Sequence, residues 1–151
     1  MIRLFRKVLC PIDFSEHSLA ALDLALRVVQ QNDAKLYLLS IAPLPAGAVG
    51  FQPVPLDPYP YREKERQQQL ASLGRERIPA AVSYETLVMS GDPAEQVLNT
   101  ARGLDIDLIV IGTHGRKLLS HLVLGSVAER VVRESPLPVL TAHAKTGARK
   151  G

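Results

Sequence analysis

Five short runs of apolar residues divide the chain, and each has the length of a β-strand. They cover residues 8–12, 36–41, 82–89, 108–111 and 139–142, and we number them β1 to β5. The first, second and fourth runs are continuous rather than alternating, which is typical of strands buried on both faces of a sheet. The third run alternates apolar with polar residues, so it predicts a strand at an edge of the sheet.

Between the strands, apolar residues recur at spacings of three and four, the period of an amphipathic helix. Three such patterns have their apolar positions at 19, 22, 26 and 29, at 94, 97, 98 and 101, and at 127, 131 and 132. Ser15 and Asp92 are suitable N-caps for the first two. Ser126, with Glu129 three residues later, predicts a capping box for the third. A polar pattern at 61–78 predicts a surface helix.

Strands that alternate with helices predict a parallel sheet with helices on both faces. We predict an α/β fold with an open five-stranded parallel sheet in the order 3-2-1-4-5, because β1 and β4 are the most uniformly apolar strands and belong in its centre. In this order the chain reverses direction between β1 and β4. Ligands of open α/β sheets bind at the carboxyl ends of such a pair, which Asp13 and Gly112 mark here.

Length and composition indicate a single domain. The chain has 151 residues, 46% of them hydrophobic, which suffices for one sizeable core but not for two typical domains. We assign residues 1–142 to this domain and residues 143–151 to a flexible basic tail. Residues 43–60 hold six of the eleven prolines and show no helix or strand period, so we expect an extended loop after β2.

Charge and hydropathy exclude several classes of protein. Three of the 18 basic residues are Lys145, Arg149 and Lys150 in the tail, so the remainder carries 15 basic and 15 acidic residues. A neutral body is not typical of nucleic-acid-binding proteins, which cluster positive charge on the fold. Prolines and glycines interrupt the uncharged stretch 36–56, so we expect no membrane helix. Basic residues near the N-terminus indicate no export signal and hence a cytoplasmic protein. Cys10, the single cysteine, is expected to be an inert core thiol.

Glycines follow β4 at a spacing that can form a phosphate site. Gly112, Gly115, Gly125 and Ser126 give the pattern G-x2-G-x9-G-S, which ends at a predicted helix start. Glycine lets backbone amides approach a phosphate, and a helix start adds unpaired N–H groups at the positive end of the dipole. Alternatively, these glycines only turn the chain. We favour the anion site because all its parts fall in one predicted crevice. Neither a Walker P-loop nor G-x-G-x-x-G occurs, which disfavours a nicotinamide oxidoreductase.

Side chains near this crevice favour binding over catalysis. Asp13 could accept hydrogen bonds from ribose hydroxyls or a base amino group, or it could serve a local turn. Of the four histidines only His114 falls in the crevice, and no metal-binding or nucleophile motif occurs, so we expect neither catalytic residues nor a metal site. Ser120 and His121 are interpreted as loop residues rather than a catalytic dyad. Arg116 is a candidate for pairing with terminal phosphates.

Five segments of the chain closely resemble the universal stress protein family. Three cover the first strand with its acidic turn, the second strand, and the fourth strand with its loop: VLCPIDFS from Val8, LLSI from Leu38 and IVIGTHGR from Ile109. The other two are LGSVAERV from Leu124 and SPLPVL from Ser135. The ATP-binding branch of this family carries the full G-x2-G-x9-G-S/T motif, and this chain has it whole.

The resemblance implies an adenine nucleotide alpha hydrolase-like fold that binds ATP, with or without Mg²⁺. The matching positions imply adenosine contacts from Pro11, Asp13, Ile41 and Ile111. They imply phosphate contacts from Gly112, Gly115, Gly125, Ser126 and Val127, with Thr113, His114 and Arg116 completing the loop.

These observations predict a cytoplasmic ATP-binding protein of the stress response, a binding module whose nucleotide state biases a partner interaction. Two alternatives stay open. One is an enzyme at the same site, a slow ATPase or a phosphoryl- or adenylyl-transfer protein, and the other is a nucleotide-independent dimeric scaffold or chaperone. We also predict a homodimer through the exposed edge of β5, which consists of Val139, Leu140, Thr141 and Ala142. The family resemblance implies the same dimer.

Overall fold

Nine secondary-structure elements follow one another along the described part of the chain. The computed structural model describes residues 3–42, 59–114 and 124–144. The strands are β1 Lys7–Pro11, β2 Lys35–Ala42, β3 Tyr84–Ser90, β4 Leu108–Gly112 and β5 Val139–Ala142. The helices are α1 Glu16–Asn32, α2 Tyr59–Arg77, α3 Pro93–Gly103 and α4 Ser126–Glu134.

The strands form one parallel sheet in the order β3-β2-β1-β4-β5. The predicted order is therefore confirmed, with β1 and β4 paired at the centre and β3 at one edge. The third strand begins two residues later than predicted because Val82 donates its N–H to the Pro79 carbonyl at 3.0 Å in a preceding turn. The predicted loop at 43–60 is too long at its end, since helix α2 begins at Tyr59. The rest of that loop lies outside the described residues.

Two helices cover each face of the sheet. Val8 and Cys10 of β1 pack in one core cluster with α1 and α2, whereas Leu9 packs in a second cluster with α3 and α4. Consecutive residues of a strand point to opposite faces, so the continuous apolar runs reflect burial on both sides. The polar helix α2 has few core anchors, as predicted, and the most completely buried of them is Leu70.

The helix starts differ from one another in their capping. The side chain of Ser15 accepts the Ser18 N–H at 3.2 Å and caps α1, as predicted. The capping box predicted for α4 is wrong, because the N-cap is Gly125, which has no side chain to cap with, and Ser126 is already the first helical residue. An N-cap residue has extended backbone, and Gly125 with φ −59° and ψ 158° meets that requirement.

Cys10 is fully buried, in agreement with its predicted place in the core. Burial raises the pKa of its thiol far above the ordinary value, and the nearby negative charge of Asp23 adds to the shift. The thiolate, the reactive form, is thereby suppressed while the protein stays folded. Within the described ranges, no helix is both long and apolar enough to cross a membrane.

Candidate functional site

The carboxyl end of β1 leads into a tight turn. Ile12 extends the strand by donating its N–H to the Leu39 carbonyl at 2.7 Å. Asp13 then accepts the Ser15 N–H on Oδ1 at 2.9 Å, and Phe14 between them has a positive φ of 65°. The carboxylate of Asp13 therefore shapes the turn that starts α1. A ligand contact from Asp13 would be an additional role.

Gly112 is the last residue of β4, and close packing against α1 requires glycine at this position. A Cβ atom at this position would lie 2.7 Å from the His17 carbonyl carbon and 2.8 Å from the Ser18 nitrogen. Both contacts are to backbone atoms, which cannot rotate away as a side chain can. The glycine therefore lets the first turn of α1 approach the end of β4, a different reason from the predicted phosphate approach.

The residue after β4 joins three elements. Thr113 donates its N–H to the Ala142 carbonyl at 2.8 Å and accepts the Gly125 N–H on its own carbonyl at 2.6 Å. The first hydrogen bond continues the pairing with β5. The second closes the base of the loop that runs from β4 to α4, so the start of α4 is held at the carboxyl edge of the sheet.

The start of α4 leaves backbone donors without a side-chain cap. The first intrahelical bond runs from the Glu129 N–H to the Gly125 carbonyl at 2.9 Å. The amides of Ser126, Val127 and Ala128 precede it, and helix geometry gives them no intrahelical acceptor. Since Gly125 uses its own N–H on Thr113, these three amides, together with the helix dipole, form the part of this start that can attract an anion.

Two imidazole rings lie beside this loop base. The rings of His17 and His114 are 5.2 Å apart between centroids and tilted by 55°. Nδ1 of His114 lies 3.1 Å from the Thr113 hydroxyl, while its buried Nε2 has no hydrogen-bond partner among the residues that the structure describes. His17 was not among the predicted site residues. Its signal in the sequence is its place in the first turn of the helix that follows Asp13.

The structure brings most predicted site residues to one edge of the sheet. Pro11, Asp13, Ile41, Ile111, Gly112, Thr113, His114, Gly125, Ser126 and Val127 all lie at strand ends, in the turns that follow them or at the start of α4. The side chain of Ile111 is buried in the core under α3 and α4. Gly115 and Arg116 lie outside the described residues, as do Ser120 and His121.

A cavity lies at the opposite edge of the sheet. It measures about 710 Å³ and is lined by residues that include Arg3, Lys35 and Val82. Two of the cations in its lining are paired with carboxylates, Arg3 with Asp33 at 2.9 Å and Lys35 with Glu85 at 3.0 Å. Ligands of open parallel sheets bind at the carboxyl edge. We therefore place the candidate site there and not in this cavity.

Within the described ranges, no group of three or more His, Cys, Asp or Glu side chains is arranged to hold a metal ion. The fold and this edge define an open, doubly wound α/β protein with a candidate ligand site between its two central strands. The family model "Universal stress protein family" matches residues 4–143. The chain belongs to this family.

Curated relatives and solved structures agree with this assignment. The universal stress protein YxiE of Bacillus subtilis is 32% identical over 147 residues, covering 91% of this chain and 98% of YxiE. The universal stress protein MJ0531 of Methanocaldococcus jannaschii is also 32% identical, covering 91% of this chain and 81% of its own length. The solved structure of MJ0577, another protein of that organism, superposes with a TM-score of 0.75 over 95% of this chain and 99% of its own, at 23% identity.

Two further structures of the family contain nucleotides. A universal stress protein in complex with cAMP superposes with a TM-score of 0.61 at 25% identity, covering 94% of this chain and 99% of its own. An Arabidopsis thaliana family protein with AMP bound has a TM-score of 0.62 at 20% identity, covering 95% of this chain and 94% of its own.

Proposed function

We propose that this chain is an ATP-binding universal stress protein whose nucleotide state biases a partner interaction. The observation that carries the proposal is the start of α4. Its N-cap is a glycine without a side-chain cap, and the Gly125 to Thr113 hydrogen bond holds it at the carboxyl edge beside β4. Phosphate groups are favoured where unpaired helix amides and the positive end of the dipole coincide. The predicted cytoplasmic location remains part of this proposal.

The neighbouring strand ends supply the surface for the adenosine part of the ligand. Pro11 is the last residue of β1 and Ile41 is the last but one of the adjacent strand β2, and both are only partly buried. Asp13 lies next to them with a carboxylate that can accept hydrogen bonds from ribose or base donors. In this arrangement the base lies near the ends of β1 and β2, and the phosphates extend toward α4.

The ligands of related proteins support an adenine nucleotide. One family structure holds cAMP and another holds AMP. The choice of ATP rests on the complete G-x2-G-x9-G-S pattern of this chain. Any Mg²⁺ that accompanies ATP would be held mainly by phosphates and water, since Mg²⁺ keeps several waters and needs few protein carboxylates.

The edge of β5 is the proposed homodimer interface. β5 is the last strand of the sheet, and Leu140 on it is 38% exposed. An unpaired strand edge offers backbone donors and acceptors to a second copy of the chain. Analytical ultracentrifugation at micromolar concentration should show a dimer, and Val139→Pro should weaken it. A monomeric mass for the unaltered chain would contradict this part of the proposal.

Identification of co-purified nucleotide tests the main proposal. Mass spectrometry of small molecules released from the purified protein should detect an adenine nucleotide, and titration calorimetry should show ATP binding. Gly115→Val should abolish that binding without unfolding the domain, because a branched side chain then stands where the backbone meets phosphate. Unchanged affinity in this variant would mean that the loop glycines only turn the chain.

Two further outcomes separate the alternatives. A protein that releases no nucleotide and binds none when titrated would be the dimeric scaffold or chaperone. Steady-state release of phosphate from bound ATP would instead indicate the enzyme.

A further inference from the structure

The cavity at the amino edge of the sheet has walls that the sheet itself holds in place. These walls are the segments that lead into β1, β2 and β3, together with the last turn of α1. Lys35 donates its N–H to the Arg6 carbonyl at 2.9 Å, and Leu36 donates its N–H to the Ser83 carbonyl at 3.0 Å. The three segments are therefore tied to one another, and the cavity volume of about 710 Å³ lies in the range of small-molecule sites.

The lining of this cavity carries positive charge. Among the described residues that line it, Arg3, Arg6 and Lys35 are basic and Asp33 is acidic. Asp33 pairs with Arg3, and Lys35 pairs with Glu85, which does not line the cavity. When these two pairs are counted as neutral, the positive charge of Arg6 remains, so an anion is the complementary ligand.

Arg6 combines a fixed main chain with an available side chain. Its N–H donates to Oδ2 of Asp107 at 2.8 Å, and its carbonyl accepts the N–H of Lys35. Its guanidinium is exposed and has no hydrogen-bond or ion-pair partner among the residues that the structure describes. A guanidinium presents its donors in a planar fork that matches the two oxygens of a carboxylate or a phosphate group.

Apolar side chains form another part of the lining. Val29 and Ala34 are buried, and Val82 is partly buried. The end of α1 also lies here, and its dipole by itself disfavours an anion. Its last carbonyls are engaged within the chain, because Ala34 donates its N–H to the Val29 carbonyl at 3.0 Å and Asn32 donates Nδ2–H to the Val28 carbonyl at 2.9 Å. The cavity therefore offers an apolar surface beside one available cation.

We propose that this cavity is a second binding site, which takes a small organic anion. The guanidinium of Arg6 binds the carboxylate or phosphate group of this ligand, and Val29 and Val82 contact its apolar part. The inference goes beyond the proposed function and does not depend on it, because the cavity and the proposed nucleotide site lie at opposite edges of the sheet.

The first test measures which charge the cavity accepts. Hexanoate, hexyl phosphate and hexylamine share one apolar part and differ in the charged group. Titration calorimetry with the full chain should show binding of the two anions and none of hexylamine at the same concentrations. The tighter of the two anions identifies the preferred group. Equal binding of hexylamine, or no binding of either anion, would overturn the inference.

The apolar part of the ligand is tested by its length. Acetate and inorganic phosphate carry the same charged groups without the hexyl chain, so they should bind more weakly than hexanoate and hexyl phosphate. Each methylene group that becomes fully buried should raise the affinity by up to about fourfold. Equal affinities with and without the hexyl chain would contradict the contact with Val29 and Val82 and would overturn the proposed ligand class.

A matched pair of variants tests the role of Arg6. Arg6→Gln should lower the affinity for the preferred anion about three- to fivefold, the upper range for an exposed ion pair. Arg102→Gln is the control, because Arg102 is also exposed and lies in the last turn of α3 at the same edge of the sheet, but does not line the cavity. Its affinity should stay within about twofold of the unaltered chain. An equal loss in both variants would mean that net charge is responsible and would overturn the role of Arg6.

The location is tested by nuclear magnetic resonance of isotope-labelled protein. The preferred anion should shift the amide signals of Ala34, Lys35 and Ser83 most, and those of Gly112 and Thr113 at the carboxyl edge little. Largest shifts at Gly112 and Thr113 would place the anion at the proposed nucleotide site and would overturn the inference. If the anion binds at the amino edge while ATP does not bind to the chain at all, the proposed function fails and this inference stands.

Discussion

Helices α3 and α4 both begin at the carboxyl edge of the sheet, but their first turns are occupied differently. In α3, Asp92 is the N-cap, and its Oδ2 accepts the Glu95 N–H at 2.9 Å and pairs with Arg130 of α4 at 2.7 Å. In α4, the N-cap Gly125 provides no side-chain acceptor. The carboxylate at the start of α3 already accepts one backbone donor and balances the helix dipole, so an anion has more to gain at the start that lacks a carboxylate.

The sequence signals of the two starts are easily confused. Each helix has an acidic residue in its first turn: Glu95 is the third residue of α3, and Glu129 is the fourth residue of α4. Each also has a residue of a capping type at or next to its start, Asp92 for α3 and Ser126 for α4. Only in α3 does that residue occupy the N-cap. A shift of one residue therefore separates a capped helix from a candidate anion site.

Gly112→Ala should have the largest effect on stability. It disturbs the start of α1, the third helix that begins at this edge of the sheet. The new Cβ would lie within 3 Å of the backbone of α1 at His17 and Ser18, so the first turn of α1 must move. We expect a loss of about 2–3 kcal/mol in the free energy of unfolding, measured with urea. Gly103→Ala is the control, since nothing lies within 4 Å of a Cβ there, and it should not destabilise. Equal stability of the two variants would contradict the close contact.

Gly125→Asp should supply α4 with an N-cap carboxylate of the kind that Asp92 supplies to α3. The introduced carboxylate should accept hydrogen bonds from the amides that we propose bind phosphate, and its charge should repel the phosphate. The ATP affinity of Gly125→Asp should therefore be at least about tenfold lower than that of Gly125→Asn, a difference of about 1.4 kcal/mol. The two side chains match in size, so steric effects cancel in the comparison. Titration calorimetry with ATP measures both, and equal affinities would show that no phosphate lies there.

Asp92→Ala should remove the cap of α3 and lower the stability of the protein without changing nucleotide binding. Loss of the cap costs about 1 kcal/mol in the free energy of unfolding, and the exposed pair with Arg130 adds little. The stabilisation by ATP, measured as a shift in melting temperature, should stay as in the unaltered chain. A loss of that shift would show that the contact of Asp92 with Arg130 controls how α4 is placed.

Ser126→Ala should have the smallest effect. Ser126 is exposed and lies inside α4 rather than at its cap, so stability without ATP should change by less than about 0.5 kcal/mol. If its hydroxyl contacts phosphate, the ATP-induced rise in melting temperature should shrink. An equal drop in melting temperature with and without ATP would instead assign a capping role to the hydroxyl.

The sequence alone determined the architecture of this protein. Continuous apolar strands that alternate with amphipathic helices are typical of a parallel sheet that is covered on both faces. The alternating pattern of β3 predicted its place at an edge of that sheet. The caps at Ser15 and Asp92 were equally readable, because each bonds within its own first turn. Such features depend on neighbours in the chain or on periodicity, which a sequence shows directly.

Only the tertiary structure decided how the candidate site is assembled. Gly125 became the cap of α4 because Thr113, twelve positions earlier, accepts its N–H, and Gly112 must be glycine because α1 lies against it. His17 came into the site because α1 packs against Gly112, which places its ring 5.2 Å from the ring of His114. These are contacts between residues that are distant in the chain, and no local pattern or periodicity encodes which partner the fold will bring within 3 Å.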